Sequence, residues 1–303
     1  MKAILALALT SMQALADSTK CYALCFSSGE QAAAYTAGVL QGLSETLGAS
    51  ETAYTAVSGV SGGGVNAAIL GSYAVGQESE ASKRMQQFWL NTATNQLYKD
   101  WLGGIMQGLL LEPGLFNDKL LEDFLTTELA DIGPMQKFVD VGLTDVLNGT
   151  FVDQIETLDT NLVDVMFASF SYAGFFPPAE SMGHTWFDGS VIWDLDIFSA
   201  VNKCMETHKQ EDIIVDVLMT STKTLNTVDA STFNSAQMGY RYLKVARWYG
   251  VMDGLLRATF AYPWVNFRHI ISPSAELASV NLPLVSIQPH NLFAELDRRA
   301  GAG

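Results

Sequence analysis

The stretch "AVSGVSGGGVNAAIL", residues 56–70, limits the possible folds more than any other part of the chain. An apolar run enters it, an Ala-rich helix-favouring run leaves it, and the turn between them is mostly glycine around one serine, Ser61. A strand that passes straight into a helix through so short a turn is the repeating unit of parallel sheets covered by helices. In such sheets the functional site lies at the carboxyl ends of the strands, which is where Ser61 would stand.

The rest of the chain keeps up the alternation. "CYALCF" (21–26) reads as a strand, "AAYTAGVLQGLSETL" (33–47) as an amphipathic helix, "AYTAVSG" (53–59) as the strand that leads to Ser61, and "GGVNAAILGSYAVG" (63–76) as the helix that leaves it. Further helices are expected at 80–95, 117–129, 197–208 and 231–258. "DIIVDVLMTS" (212–221) is nearly all apolar, as a strand buried on both faces would be, and "VNFRHIIS" (265–272) reads as another strand. Asn148-Gly149 marks a tight hairpin. The expected class is therefore α/β with a mostly parallel sheet, and with 303 residues, no linker and no internal repeat, one domain.

The N-terminus stands apart from that domain. Lys2, the apolar run 3–9 and the small-x-small triplet Ala14-Leu15-Ala16 have the arrangement of a secretory signal peptide. The expectation is a leader over residues 1–16 and a single mature domain over 17–303, soluble and secreted or lumenal; the apolar run is too short to span a bilayer. The formal net charge is −15, and loss of Lys2 would leave 16 basic against 32 acidic residues. Such a field repels a phosphate backbone, so nucleic acid is not an expected partner. Any contact with a lipid surface would have to be apolar or local, and the number of subunits is left open. Of the three cysteines, Cys21 and Cys25 on one strand are about 13 Å apart at roughly 3.3 Å per residue, too far for a bridge. Cys204 can then pair with one of them, with Cys21 at the outer start of the strand favoured, or all three can stay reduced as core thiols.

Gly59-Val60-Ser61-Gly62-Gly63 fits G-x-S-x-G, which carries chemistry where a strand meets a helix through a sharp turn. There the serine is held in a strained backbone conformation, and the helix N-terminus directs amides and partial positive charge at its oxygen. The alternative is a merely flexible turn. A serine hydroxyl needs a base. His269 and His290 are one choice; the other is Asp188 in "HTWFDGSVIWD" (184–194), a strand-end acid followed by Gly189, with His184 four residues before it. The four histidines and three cysteines show no metal-ligand spacing, and no cofactor is called for. Asn148-Gly149-Thr150 is a candidate glycosylation sequon on an accessible turn. "WLGGIMQGLLLEPGLF" (101–116) reads either as core or as an apolar lid.

"SGVSGGGVNAAILG" and "FDGS", with "AYTAGVLQGL" (34–43), "EPGLFNDKLLEDFL" (112–125) and "ASFSYAGFFPP" (168–178), closely resemble the patatin-like phospholipases. The resemblance implies a three-layer α/β/α fold with a mostly parallel central sheet and a Ser-Asp dyad without a catalytic histidine. Ser61 matches the nucleophile, with Gly59 and Gly63 in its elbow, and Asp188 matches the acid of the D-G motif. It implies hydrolysis of lipid carboxylic esters, phospholipids or acylglycerols, met at a membrane or micelle surface. It resembles in particular a secreted branch in which a first-strand cysteine pairs with one after the D-G motif, in agreement with Cys21 and Cys204. The departure is at the first loop, where the family's G-G-G-x-[RK]-G is replaced by "SGEQAA" (28–33). Oxyanion donors would then come from Ser28, Gly29, Glu30 and Gly62. Glu30 and Ala33 stand for glycines, and Ala32 lacks the usual positive charge. The alternative is a catalytically weak or inactive relative kept for lipid binding or storage.

Overall fold

The first strand, β1 (Cys21–Phe26), has side chains on two sides and both sides are buried. Tyr22, Leu24 and Phe26 enter one core; Cys21, Ala23 and Cys25 enter another. A strand with no polar face belongs in the middle of a sheet covered on both sides. A computed structural model of the chain, which describes residues 19–155 and 157–277, shows this arrangement; the expected signal sequence and His290 lie outside the described residues.

In chain order the elements after β1 are α1 (Ala33–Leu47), β2 (Ala56–Val60), α2 (Gly62–Gly71), α3 (Glu78–Thr94), α4 (Gly104–Leu111), α5 (Lys119–Glu128), β3 (Phe138–Asp145) and β4 (Thr150–Gln154). Then come α6 (Leu158–Ser169), β5 (Ala179–Ser181), β6 (His184–Asp188), α7 (Phe198–Met205), β7 (Ile213–Leu218), α8 (Ser235–Ala261) and β8 (Asn266–Ile271). The sheet order is β5-β6-β3-β2-β1-β7-β8, with β4 also paired to β3. The contacts β3·β2, β2·β1, β1·β7 and β7·β8 are parallel; those of β4, β5 and β6 are antiparallel.

Helices α1, α2, α3, α5 and α6 pack on one face through residues such as Leu40, Ile69, Phe88, Leu125 and Met166. On the other face α7 and α8 pack through Val201, Cys204, Val251 and Ala258. The result is a three-layer α/β/α fold. Every residue of α2 is buried, which places this helix at the centre of its layer. Its one polar side chain, Asn66, is satisfied: it accepts from Trp89 Nε1 at 2.8 Å and donates to the Ala33 carbonyl and to Thr36 Oγ1, each at 2.9 Å.

The covalent frame agrees with the favoured pairing. Cys21 on β1 is bonded to Cys204 on α7, Cα atoms 5.7 Å apart and 183 positions apart in sequence. Cys25 is a free buried thiol whose pKa burial pushes to about 12. β3 and β4 form the expected hairpin, with Gly149 at φ 69° and Asn148 exposed.

Candidate active site

β2 ends at Val60, α2 begins at Gly62, and Ser61 between them has φ 57° and ψ −130°. A positive φ at a residue with a Cβ is costly, and it is held here because the glycines around it let three pieces of backbone touch. A Cβ on Gly59 would run into the Gly63 carbonyl, one on Gly63 into the Ser27 carbonyl, and one on Gly62 into the Glu30 carbonyl. Ser61 therefore stands at the N-terminus of a central helix, with the helix dipole directed at its oxygen.

The sheet brings Asp188 to the same place. It is the last residue of β6, paired with Leu143 of β3, and β3 lies beside β2. Gly189 is required next because a Cβ there would strike the Gly142 carbonyl. The carboxylate accepts the Ser190 amide at 2.8 Å. Burial raises its pKa to about 6, against the opposing pull of that amide, of the Ser61 hydroxyl and of Arg247. Ser61 Oγ itself is buried and makes no hydrogen bond to the described residues, although its hydroxyl is among the groups that lower the Asp188 pKa. Loose contacts of this kind are usual in a site without substrate.

The first loop is built differently from expectation. Ser28 is not available as an oxyanion donor, because its amide donates to the Asp194 carbonyl at 2.7 Å. The remaining candidates, Gly29, Glu30 and Gly62, sit at the start of the 3₁₀ turn Glu30–Ala32 and of α2, where amides have no acceptor inside their own helix. Ala33 is not in the loop at all but is the first residue of α1. Glu30, at φ 51°, does not present a bare carboxylate: its Oε1 lies 2.8 Å from Arg247 Nη1. Arg247 Nε is 3.1 Å from Asp194 Oδ1, which also accepts the Ser28 hydroxyl. Burial raises the Asp194 pKa to about 6, opposed by Arg247 and Ser28.

Ser61 and Asp188 open on a pocket of about 240 Å³. One wall is aromatic: Trp89, Tyr98, Phe116, Phe170, Tyr172, Phe175 and Phe176. The other comes largely from α8, with Tyr240, Leu243, Lys244, Arg247 and Trp248. Neither Arg247 nor Asp194 was identifiable from the sequence, since each acts through residues far away in the chain. No histidine lines the pocket among the described residues. His269 is on β8, three strands from β2, and His184 Nδ1 lies 3.0 Å from Asp145 Oδ2 rather than beside Asp188. The 101–116 segment is divided: Leu102, Met106, Leu109, Leu110 and Leu111 are exposed, while Phe116 at its end is buried and reaches the pocket. Away from the pocket, Asp140, Asp153 and Asp196 bring carboxylate oxygens within 4.8 Å of one another, and burial pushes Asp140 well above the usual carboxylate range.

A family model described as patatin-like phospholipase matches residues 24–201, more than half of the chain. No curated protein matches the sequence. Among solved structures, VipD from Legionella pneumophila is similar, with a TM-score of 0.40 and 14% identity. That similarity covers 79% of this chain and 56% of VipD, so the chain spans little more than half of its structural neighbour's length.

Proposed function

The chain belongs to the patatin-like phospholipase family, and from that premise we propose that it is a secreted serine lipid acyl hydrolase working through Ser61 and Asp188. The observation that carries this reading is the strained serine at the head of α2, in one apolar pocket with a buried acid whose pKa is about 6. The bond cleaved is the carboxylic ester of a phospholipid or acylglycerol. Ionised Asp188 takes the proton of Ser61 as Oγ attacks the ester carbonyl, and the carbonyl electrons move to oxygen to give the tetrahedral oxyanion. Amides of Gly29, Glu30 and Gly62 receive that charge, and the dipole of α2 adds to it. Collapse expels the alkoxide, which takes the proton back from Asp188. Water, deprotonated by the same carboxylate, then attacks the acyl-enzyme, and Ser61 leaves with that proton.

The acyl chain would lie along the aromatic wall, which is the kind of surface such a chain can use. Contact with a membrane or micelle would be made by the exposed apolar side chains of α4 and its flank, because a net charge of −15 gives anionic lipid no long-range attraction. The disulfide between Cys21 and Cys204 favours an oxidising compartment, in keeping with a leader at 1–16 and a single mature domain at 17–303. Asn148 would be the glycosylation site in a eukaryotic host.

The occupied Ser28 amide favours one second reading, a family member that binds lipid but turns it over weakly. Fluorophosphonate labelling together with acyl release from short-chain lipids tests both. Wild type should label at Ser61 and release fatty acid, and Ser61→Ala and Asp188→Asn should each abolish release, the double variant being no worse than either. Binding without labelling or release would leave the second reading in its place.

A further inference from the structure

Arg247 reaches the pocket from α8, outside the segment that the family model matches, and its guanidinium is only partly used. Nη1 is paired with Glu30, Nε with Asp194, and the group lies 5.2 Å above the Tyr172 ring. The third nitrogen, Nη2, is buried and makes no hydrogen bond to the described residues. Two ion pairs and a ring fix the fork, so Nη2 has little freedom to seek an acceptor elsewhere. Its partner has to come from whatever occupies the pocket.

The chemistry of candidate lipids separates them. An acylglycerol offers neutral ester and hydroxyl oxygens. A glycerophospholipid offers in addition a phosphodiester a few bonds from each ester, and planar guanidinium geometry suits its anionic oxygens best. The surrounding charge narrows the class further. Around the pocket stand Arg247 and Lys244 against Glu30, Asp188, Asp194 and Glu276, so the neighbourhood is negative even with its cations counted. A headgroup with net negative charge would be repelled by it. One that pairs its phosphate with a cation of its own would be accepted. We propose that Arg247, through Nη2, contacts the phosphodiester of a zwitterionic glycerophospholipid and makes the site select it over acylglycerols and anionic phospholipids. This rests on the lipid acyl hydrolase function proposed above.

The test uses the whole chain and three lipids with identical short acyl groups: a phosphatidylcholine, a phosphatidylglycerol and a diacylglycerol. Wild type should have its highest kcat/KM on the phosphatidylcholine. Arg247→Gln should lower the phosphatidylcholine-to-diacylglycerol ratio about tenfold, equivalent to about 1.4 kcal/mol, mainly through KM. Arg247→Lys, which keeps the charge but not the fork, should recover part of the ratio, and it carries the test if the Gln variant does not fold. Equal losses on all three lipids would mean that Arg247 only holds the loop, and a wild-type preference for phosphatidylglycerol would overturn the charge argument. A binding arm separates this proposal from the function it rests on. In a Ser61→Ala background, tryptophan fluorescence should report phosphatidylcholine binding that Arg247→Gln weakens about tenfold. Such binding without wild-type turnover would remove the hydrolase reading and keep the role of Arg247. Turnover without headgroup discrimination would do the reverse.

Discussion

Two loops meet at Ser61 and reach the same end by different means. In the elbow, Gly62 and Gly63 each face a carbonyl of the first loop and Gly59 faces the Gly63 carbonyl across the turn, so a side chain at any of them would collide with backbone that has nowhere to go. In the first loop only Gly29 is tightly faced, and by the Thr220 side chain rather than by backbone. The loop is held instead by polar side chains: Ser28 on Asp194, Thr220 on the Ser28 carbonyl, Glu30 on Arg247. Glycine is thus irreplaceable where backbone packs on backbone. Where the need is for a fixed shape and a balanced charge, ion pairs can supply it.

The comparison breaks if the elbow tolerates a methyl group. Gly63→Ala drives a Cβ toward the Ser27 and Phe26 carbonyls, an overpacking that costs about 1–3 kcal/mol and displaces Ser61 as well. Ester hydrolysis should fall below detection and the melting temperature should drop. Gly29→Ala meets only the Thr220 side chain and no backbone. It should therefore keep measurable hydrolysis. Equal rates for the two variants in a chromogenic ester assay would remove the distinction.

The clamp on the first loop is the next largest effect. Glu30→Gly would relieve a positive φ, worth roughly 1–2 kcal/mol, but it frees Arg247 and lets the turn move. Sequence alone suggests that this change should help, since it restores a glycine and removes a carboxylate from beside the oxyanion. The structure reverses the sign. The expected result is a kcat lower by about tenfold, since a misplaced oxyanion donor costs up to roughly 3–4 kcal/mol. A rise in kcat would show that the ion pair is not what holds the loop.

The reason for the reversal also says what a sequence can convey. Elements with a strong local pattern were legible: β1, the β2–Ser61–α2 turn, the Asp188-Gly189 strand end and the long helix α8. The clamp was not, because Ser28 and Asp194 are 166 positions apart and Glu30 and Arg247 are 217 apart. No periodicity or short motif registers contacts at that range, and Arg247 in sequence is only one cation on a long helix. The exposure of α4 was ambiguous for the opposite reason, since an apolar run reads the same whether it faces a core or a lipid.

Acidity tests the two halves of the site together and gives a smaller, graded effect. With the Asp188 pKa near 6, hydrolysis of a neutral ester should climb about tenfold per pH unit up to that value and then level off. Because Arg247 lowers that pKa, Arg247→Gln should move the shoulder to higher pH. Stability responds with the other sign. Asp188 and Asp194 bind protons more tightly folded than unfolded, so their contribution is fully present below the unfolded value near 3.8 and is lost as pH rises through about 6. Over that window rate should rise while the share of stability from these two acids falls. A shoulder that stays in place in the Arg247 variant would disconnect α8 from the dyad.

The smallest effect belongs to Ala33→Gly, and it fixes where the first loop ends. If position 33 belonged to the loop, glycine there would loosen it and alter kcat. In the structure Ala33 begins α1 with φ −63°, and its carbonyl accepts Asn66 Nδ2 at 2.9 Å, a bond made by backbone that glycine retains. What changes is the loss of a buried methyl and a wider range of unfolded conformations, together about 1.3–1.8 kcal/mol. The melting temperature should fall by a few degrees while kcat and KM for a neutral ester stay within about twofold of wild type. A change in kcat at unaltered stability would extend the loop to residue 33 and return weight to glycine as its means of support.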